Sequence, residues 1–229
     1  MSKPRPSNST EHLGLIGGLG TAAGIFYYEK LVELHSPLRL TLAHADLPTM
    51  MRYLQAQDWA AMADYLVGMI ESLAGAGATF AAISAVTPHI VFDRIAPRCH
   101  IPLISVLDVL PKAIAEAGLT RIALFGTKAT VESRVFGTFP QESVVALGDA
   151  DSERVYQIYA DVARGKLTQS YRDEVSELAR RALDRGAEAI VLAGTDLSAL
   201  FRDQAPKFPH VDAAHAHIDA ISDRLQKIS

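Results

Sequence analysis

Thr79-Phe-Ala-Ala-Ile-Ser-Ala-Val-Thr-Pro-His89 is the stretch that decides the fold. Its first half is small and apolar throughout, as in a strand buried on both faces of a parallel sheet. Its second half turns polar, with Ser84, Thr87 and His89 standing where such a strand ends. In open α/β sheets, ligands sit beyond the carboxyl ends of strands. Further along, residues 189–197 (Ala-Ile-Val-Leu-Ala-Gly-Thr-Asp-Leu) read as a counterpart. Both stretches follow a helix that closes on Gly-Ala, at Gly77-Ala78 and at Gly186-Ala187, 109 residues apart. Leu15-Ile16-Gly17-Gly18 and Leu124-Phe125-Gly126-Thr127 repeat the relation at nearly the same separation. An offset held by two motifs predicts two similar α/β halves with facing strand ends and a site between them.

Composition agrees with such a chain. A length of 229 residues and 49% hydrophobic content suffice for a full core in one large domain or two lobes. The net charge of −4 is mild, and no Lys/Arg cluster marks a nucleic-acid or membrane surface. One cysteine allows no internal disulfide, which fits a reducing cytoplasmic setting. Residues 1–11 are polar, lack a signal-peptide core and read as a loose tail.

Strands alternate with helices along the whole chain, which predicts parallel sheets. In the first half the strands fall at residues 13–17, 40–44, 79–84 and 102–106. Thr21 is expected to cap the first helix, with Ile25, Tyr28, Leu31, Val32 and His35 on its apolar face. Residues 45–52 read as a loop. Asp58 caps a long helix carrying Trp59, Met62, Leu66, Ile70 and Leu73. The second half has strands at 121–125, 143–147, 189–193 and 209–212, with helices opening at Thr130, Asp151 and Ser170, the last with Asp173 in capping-box position. The final helix, with Ile218, Ile221 and Leu225, is expected to return to the first half. The architecture is thus α/β: two pseudo-symmetric, doubly wound lobes, each with a mostly parallel four-stranded sheet and a cleft between them. Residues 12–107 with 208–229 form the first lobe, and residues 108–207 the second.

The Gly17-Gly18-Leu19-Gly20 turn invites a dinucleotide reading, but the nearest acidic residue, Asp46, lies too far on and past the second strand. A tight strand-to-helix turn, or amides that hold a carboxylate, fits better. No cofactor is implied. His215 and His217, two residues apart, point to different helix faces, so no metal site is expected either.

Four motifs in order resemble the aspartate/glutamate racemase family, over nearly the whole chain. Residues 13–24 are similar to the family's opening Gly-Gly-Met-Gly-Pro turn, with Leu19 and Thr21 in place of Met and Pro. Residues 45–52 match in length a loop of the form Ser-Asp-Pro-Ser-Ile-Pro-Asp-Arg, which places Asp46 and Arg52 on its Asp and Arg. Residues 124–130 resemble Leu-Leu-Ala-Thr-x-x-Thr, and His217 falls on the histidine of Asp-Thr-Thr-x-x-His. The resemblance implies a cleft for a small carboxylate substrate, a homodimer, and an arginine, here Arg52, for a side-chain carboxylate.

The departures fall on the chemistry. Where the family carries Pro-Cys-Asn-Thr-Ala-His, this chain has Ser84-Ala85-Val86-Thr87-Pro88-His89. Where it carries Gly-Cys-Thr-Glu, this chain has Ala193-Gly194-Thr195-Asp196. Both cysteine positions are therefore lost, at Ala85 and Gly194. Cofactor-free racemisation needs a base on one face of the α-carbon and an acid on the other, and a thiol pair suits it because its pKa tunes readily toward neutrality. Losing one such group costs roughly 3–5 kcal/mol of barrier. Cys99, before the 102–106 strand, lies at the wrong end of the sheet.

The candidates to carry protons instead are His89, Asp196 and Asp46, each with a bland alternative: a cap on the 90–95 helix, a cap on the 197–201 turn, and a turn residue. Gly18, Arg52, Ser84, Thr87, Thr127, Thr130, Thr195 and His217 are the candidate substrate-binding residues, their hydroxyls and amides forming a carboxylate or oxyanion cradle. Three functions follow. One is a diverged enzyme of the superfamily, isomerase or lyase in type, as arylmalonate decarboxylase and maleate isomerase show within the resemblance. The others are an amino-acid racemase with a non-cysteine pair, and a non-catalytic carboxylate binder.

Overall fold

The computed structural model describes residues 11–226. Its first sheet has the order β2-β1-β3-β4, all parallel, from β1 (Leu13–Gly17), β2 (Leu40–His44), β3 (Phe80–Ile83) and β4 (Leu103–Ile104). The central strands β1 and β3 are buried at every residue, which is why they read as continuous apolar runs. On one face Met62, Leu66, Ile70 and Leu73 of α3 (Trp59–Gly75) pack on Ile16, Ala81 and Ile83. Gly14 lets that helix approach closely, since a Cβ there would lie 2.9 Å from Cβ of Leu73. On the other face α1 (Thr21–Leu34) and α10 (Ala213–Gln226) cover Leu13, Leu15 and Phe80.

The second sheet is parallel with the order β5-β6-β7, from β5 (Ile122–Phe125), β6 (Ala189–Leu192) and β7 (His210–Asp212). Helices α7 (Asp149–Ala163), α8 (Gln169–Asp184) and α9 (Thr195–Leu200) bury one face, and α5 (Val106–Glu116) buries the other. Two doubly wound lobes are therefore present. The fourth strand expected at 143–147 is reduced to a single bridge between Ile122 and Val144. β7 pairs with β6 while α10 packs on the first lobe, so the chain crosses back after Asp212 and not before residue 208.

Several local expectations change. The 45–52 segment is mostly helix: α2 (Leu47–Ala56) starts after Asp46, whose carboxylate accepts from Thr49 N–H at 2.8 Å, with Pro48 in its first turn. α1 buries Phe26, Tyr27 and Leu31 and leaves Ile25, Tyr28 and Val32 46–49% exposed. Both stripes have helical spacing, and contact with α9 and α10 selects the first. Helix starts move as well: α7 begins at Asp149 behind Gly148, and α8 is capped by Thr168, not Ser170. α6 (Lys128–Glu132) is capped by Thr127, which accepts from Thr130 N–H at 3.1 Å. Asp58 caps α3 as expected. Residue 11 of the expected tail is described and is tied by Arg224 at 2.9 Å; residues 1–10 lie outside the described residues.

Candidate active site

The two lobes meet where the sequence places their strand ends. Thr195, at the start of α9, donates its hydroxyl to the carbonyl of Ser84, beyond β3, at 2.9 Å. The hydroxyls of Thr87 and Thr127 lie 3.2 Å apart across the same junction. Between the lobes is a cavity of about 330 Å³. Its first-lobe wall is Leu19, Leu47, Met50, Met51, Leu54, Met62, Ala85, Thr87 and Pro88. The second lobe contributes Thr127, Lys128 and Ala129, and from α7 Tyr156, Tyr159, Ala160 and Ala163, with Arg164 beyond its end.

Ala85, Thr87 and Thr127 are the sequence-derived site residues in this lining. Gly194 is not among them, because a tyrosine covers it. A Cβ at Gly194 would lie 2.3 Å from Cε2 of Tyr159. The Tyr159 ring thus fills the space a side chain at 194 would need, and its own face forms the cavity wall. Its hydroxyl donates to Asp196 at 2.9 Å. Tyr159 shares the helical spacing of Val155, Ile158 and Val162, a stripe that by sequence reads as core; its position over Gly194 comes only from the folded chain.

Asp196 turns away from the cavity. Its carboxylate is fully buried and accepts the Ala23 N–H of α1 at 3.0 Å. It thereby caps α1 from the opposite lobe, the role expected of Thr21; the residue at that helix's N-cap, Gly20, makes no side-chain bond. Gly20 is the matching vacancy: a Cβ there would lie 2.2 Å from the Asp196 carboxylate. Burial raises the Asp196 pKa above the usual carboxylate range, against the lowering effect of the Ala23 N–H, the Tyr159 hydroxyl and its own N–H.

His89 is also buried. Its Nδ1 lies 2.9 Å from the Ala85 carbonyl, so it must carry the proton, and Nε2 accepts the Val106 N–H at 3.4 Å. With both ring nitrogens engaged and water excluded, its pKa falls to about 3, burial being the main cause and nearby His217 the next. His217 is held likewise, Nε2–H to the Ile104 carbonyl at 2.9 Å and Nδ1 accepting from the Tyr27 hydroxyl at 3.0 Å. Burial lowers its pKa to about 4. His89 braces the turn after β3 and His217 ties β4 to α1, and neither lines the cavity.

The remaining candidates lie outside the lining too. Asp46 is exposed and caps α2, and its Thr49 bonds lower its pKa. Arg52 is exposed with its guanidinium 5.3 Å from the ring of Tyr53. Ser84 donates to the Ile16 carbonyl at 3.0 Å, and Thr130 to the Thr127 carbonyl at 2.8 Å. Gly18, at φ 91°, lies in a separate groove between α1 and β2. Cys99 donates to the Ile95 carbonyl, away from the cavity. Among the described residues, no group of three or more His, Cys, Asp or Glu side chains is placed to hold a metal ion. Nor is any helix there long and apolar enough to cross a membrane.

Two parallel α/β lobes closing on an interlobe cavity, with paired strand-end motifs facing it, define the class of the racemase-type two-lobe proteins. The sequence profile of the Asp/Glu/Hydantoin racemase family matches residues 16–221, and the chain belongs to that family. A protein from Yersinia pestis, described as a candidate Asp/Glu racemase, is 25% identical with a TM-score of 0.79, covering 95% of this chain and 100% of that one. An aspartate racemase homologue from Pyrococcus horikoshii OT3 shares the fold at 22% identity and a TM-score of 0.77, covering 95% of this chain and all of that one. An uncharacterised protein from the pnlA 3′ region of Pectobacterium carotovorum subsp. carotovorum is 26% identical over 143 residues, 59% of this chain and 89% of that one.

Proposed function

We propose that this family member acts on a small carboxylic acid in the interlobe cavity by a cysteine-independent reaction of the isomerase or lyase type, without a cofactor. The observation that carries this reading is the asymmetry of the cavity. The first-lobe wall holds one polar side chain, Thr87, whose hydroxyl does not titrate near neutrality. The second wall holds Tyr159, tied to a buried carboxylate. Racemisation needs proton transfer on both faces of a carbon, and the Ala85 face offers a methyl group. A lyase-type step needs one: the carbon–carboxyl bond breaks, carbon dioxide leaves, and the electron pair left on carbon takes a proton from a single side. In this reading the Tyr159 hydroxyl turns from Asp196 to give that proton and is reprotonated by solvent, Asp196 remaining a carboxylate.

The test is incubation with carboxylic and dicarboxylic acids in deuterated water, followed by NMR. Product carrying one deuterium at the reacting carbon, lost in Tyr159→Phe, supports the reading. Exchange of an amino acid's α-proton without net reaction would instead restore a racemase with a non-cysteine pair.

A second reading, a non-catalytic carboxylate binder, is favoured by one specific observation. His89, His217 and Asp196 all have their bonding capacity taken up by structural partners. It gives saturable binding with no product. We also propose a homodimer in the cytoplasm. Exposed Ile25 and Tyr28 adjoin Leu42 on the edge strand β2, and Val32 is exposed on the same helix, an apolar strip that a second copy can cover.

A further inference from the structure

The chemistry of the cavity lining narrows what can occupy it. Its charged residues are Lys128 and Arg164, both cationic, and no carboxylate lines it. Both cations are loosely held, Lys128 at 3.7 Å from Glu132 and Arg164 at 3.8 Å from Asp161, with side chains 68% and 69% exposed. Besides Tyr156 and Tyr159 the polar lining includes the Thr87–Thr127 hydroxyl pair, next in sequence to Lys128. Opposite them α2 supplies Leu47, Met50, Met51 and Leu54. Methionines adapt to irregular apolar shapes. Arg52, on the same helix, does not line the cavity.

A free amino acid fits this lining poorly. Its ammonium would find no carboxylate and would share the cleft with two like charges, Lys128 and Arg164. The second carboxylate of aspartate or glutamate would meet leucine and methionine in place of a guanidinium. Volume allows more than either: about 330 Å³ lies within the range of sites for small organic ligands.

We propose that the cleft selects a carboxylic acid bearing a large apolar substituent and no ammonium group. Thr87, Thr127 and the Lys128 ammonium receive the carboxylate, and the Leu/Met wall of α2 receives the apolar body. The inference rests on the reading that this cavity is the ligand site, and it names the ligand class.

Calorimetry on the full chain tests it with 3-phenylpropanoate, its neutral counterpart 3-phenylpropanol, phenylalanine, aspartate and glutamate. The expected result is saturable binding of 3-phenylpropanoate, at least ten-fold tighter than each of the others. Met51 lines the cavity yet is 40% exposed, so Met51→Asp should fold, and it should weaken 3-phenylpropanoate ten-fold or more. Lys128→Gln should weaken the acid several-fold and leave the alcohol unchanged. Equal or tighter binding of aspartate, glutamate or phenylalanine would overturn the proposal, as would no saturable binding by any of the five. The two readings fail separately. Aspartate bound tightly and converted would sink this inference and leave an enzyme. Binding of apolar acids with no reaction of any acid would keep this inference and leave a binder.

Discussion

Gly194→Ala isolates the contact that separates this cleft from a two-cysteine site. Backbone strain plays no part, because Gly194 has φ −137° and ψ 111°, which any residue adopts. The added methyl carbon would lie 2.3 Å from Cε2 and 2.8 Å from Cδ2 of Tyr159, and 3.1 Å from the Gly126 Cα. The ring must swing out, since the backbone cannot. Overpacking of this kind costs about 1–3 kcal/mol. Moving the ring also takes the hydroxyl from Asp196, and an unsatisfied buried polar group costs a further ~1–3 kcal/mol. The expected loss is therefore about 2–6 kcal/mol, measured by urea unfolding. Tyr159→Ala removes the obstacle, so in that background Gly194→Ala should be nearly neutral. The double-mutant cycle should return a coupling about equal to that loss, roughly 2–6 kcal/mol. The same clash means that a cysteine restored at 194 needs Tyr159 removed before it can face the cavity. A Gly194→Ala protein within about 0.5 kcal/mol of the parent, or additive single and double variants, would refute the placement of the ring.

Three further outcomes follow from the geometry. Asp196→Asn keeps the shape and both bonds, with the amide donating to the Tyr159 oxygen. The folded-state pKa of Asp196 is raised, so its relative stability is fullest below the unfolded carboxyl pKa and falls as pH rises through the folded one. The variant should therefore gain on the parent as pH rises from the unfolded carboxyl pKa through the raised folded one in denaturation series, and a constant difference would count against it. His217 has the opposite sign. Its pKa is lowered to about 4 by burial, so its contribution is present above pH 6.5 and lost as pH falls toward 4, up to roughly 3 kcal/mol. Nitrogen-15 NMR should find both His217 and His89 neutral at pH 5.5, and a protonated ring would contradict the bonds described. Finally, Ile25→Glu should convert a dimer to a monomer in light scattering at unchanged unfolding temperature, and a wild-type monomer would remove that interface.

The sequence by itself determined the lobes. Buried parallel strands must be apolar on both faces, so residues 13–17, 80–83 and 189–192 announced themselves, and the 109-residue echo of Gly-Ala and strand showed that there were two such units. It also showed that the strand ends at Ala85 and Gly194 lack sulfur. The segment 143–147 was less legible, because a short β-branched run pairs only if a neighbouring edge accepts it, and here Val144 alone does. Tertiary structure decided the site. Which stripe of α1 is buried depends on α9 and α10, not on helical period, which both stripes satisfy. Where Asp196 points depends on Gly20, 176 residues earlier, leaving room beside an uncapped helix start. Tyr159 lies over Gly194 because α7 crosses there, so a residue that sequence assigns to packing becomes the wall of the cleft. Periodicity records how a segment meets its own layer. What one lobe places against the other is a long-range contact, and single-segment patterns carry no trace of it.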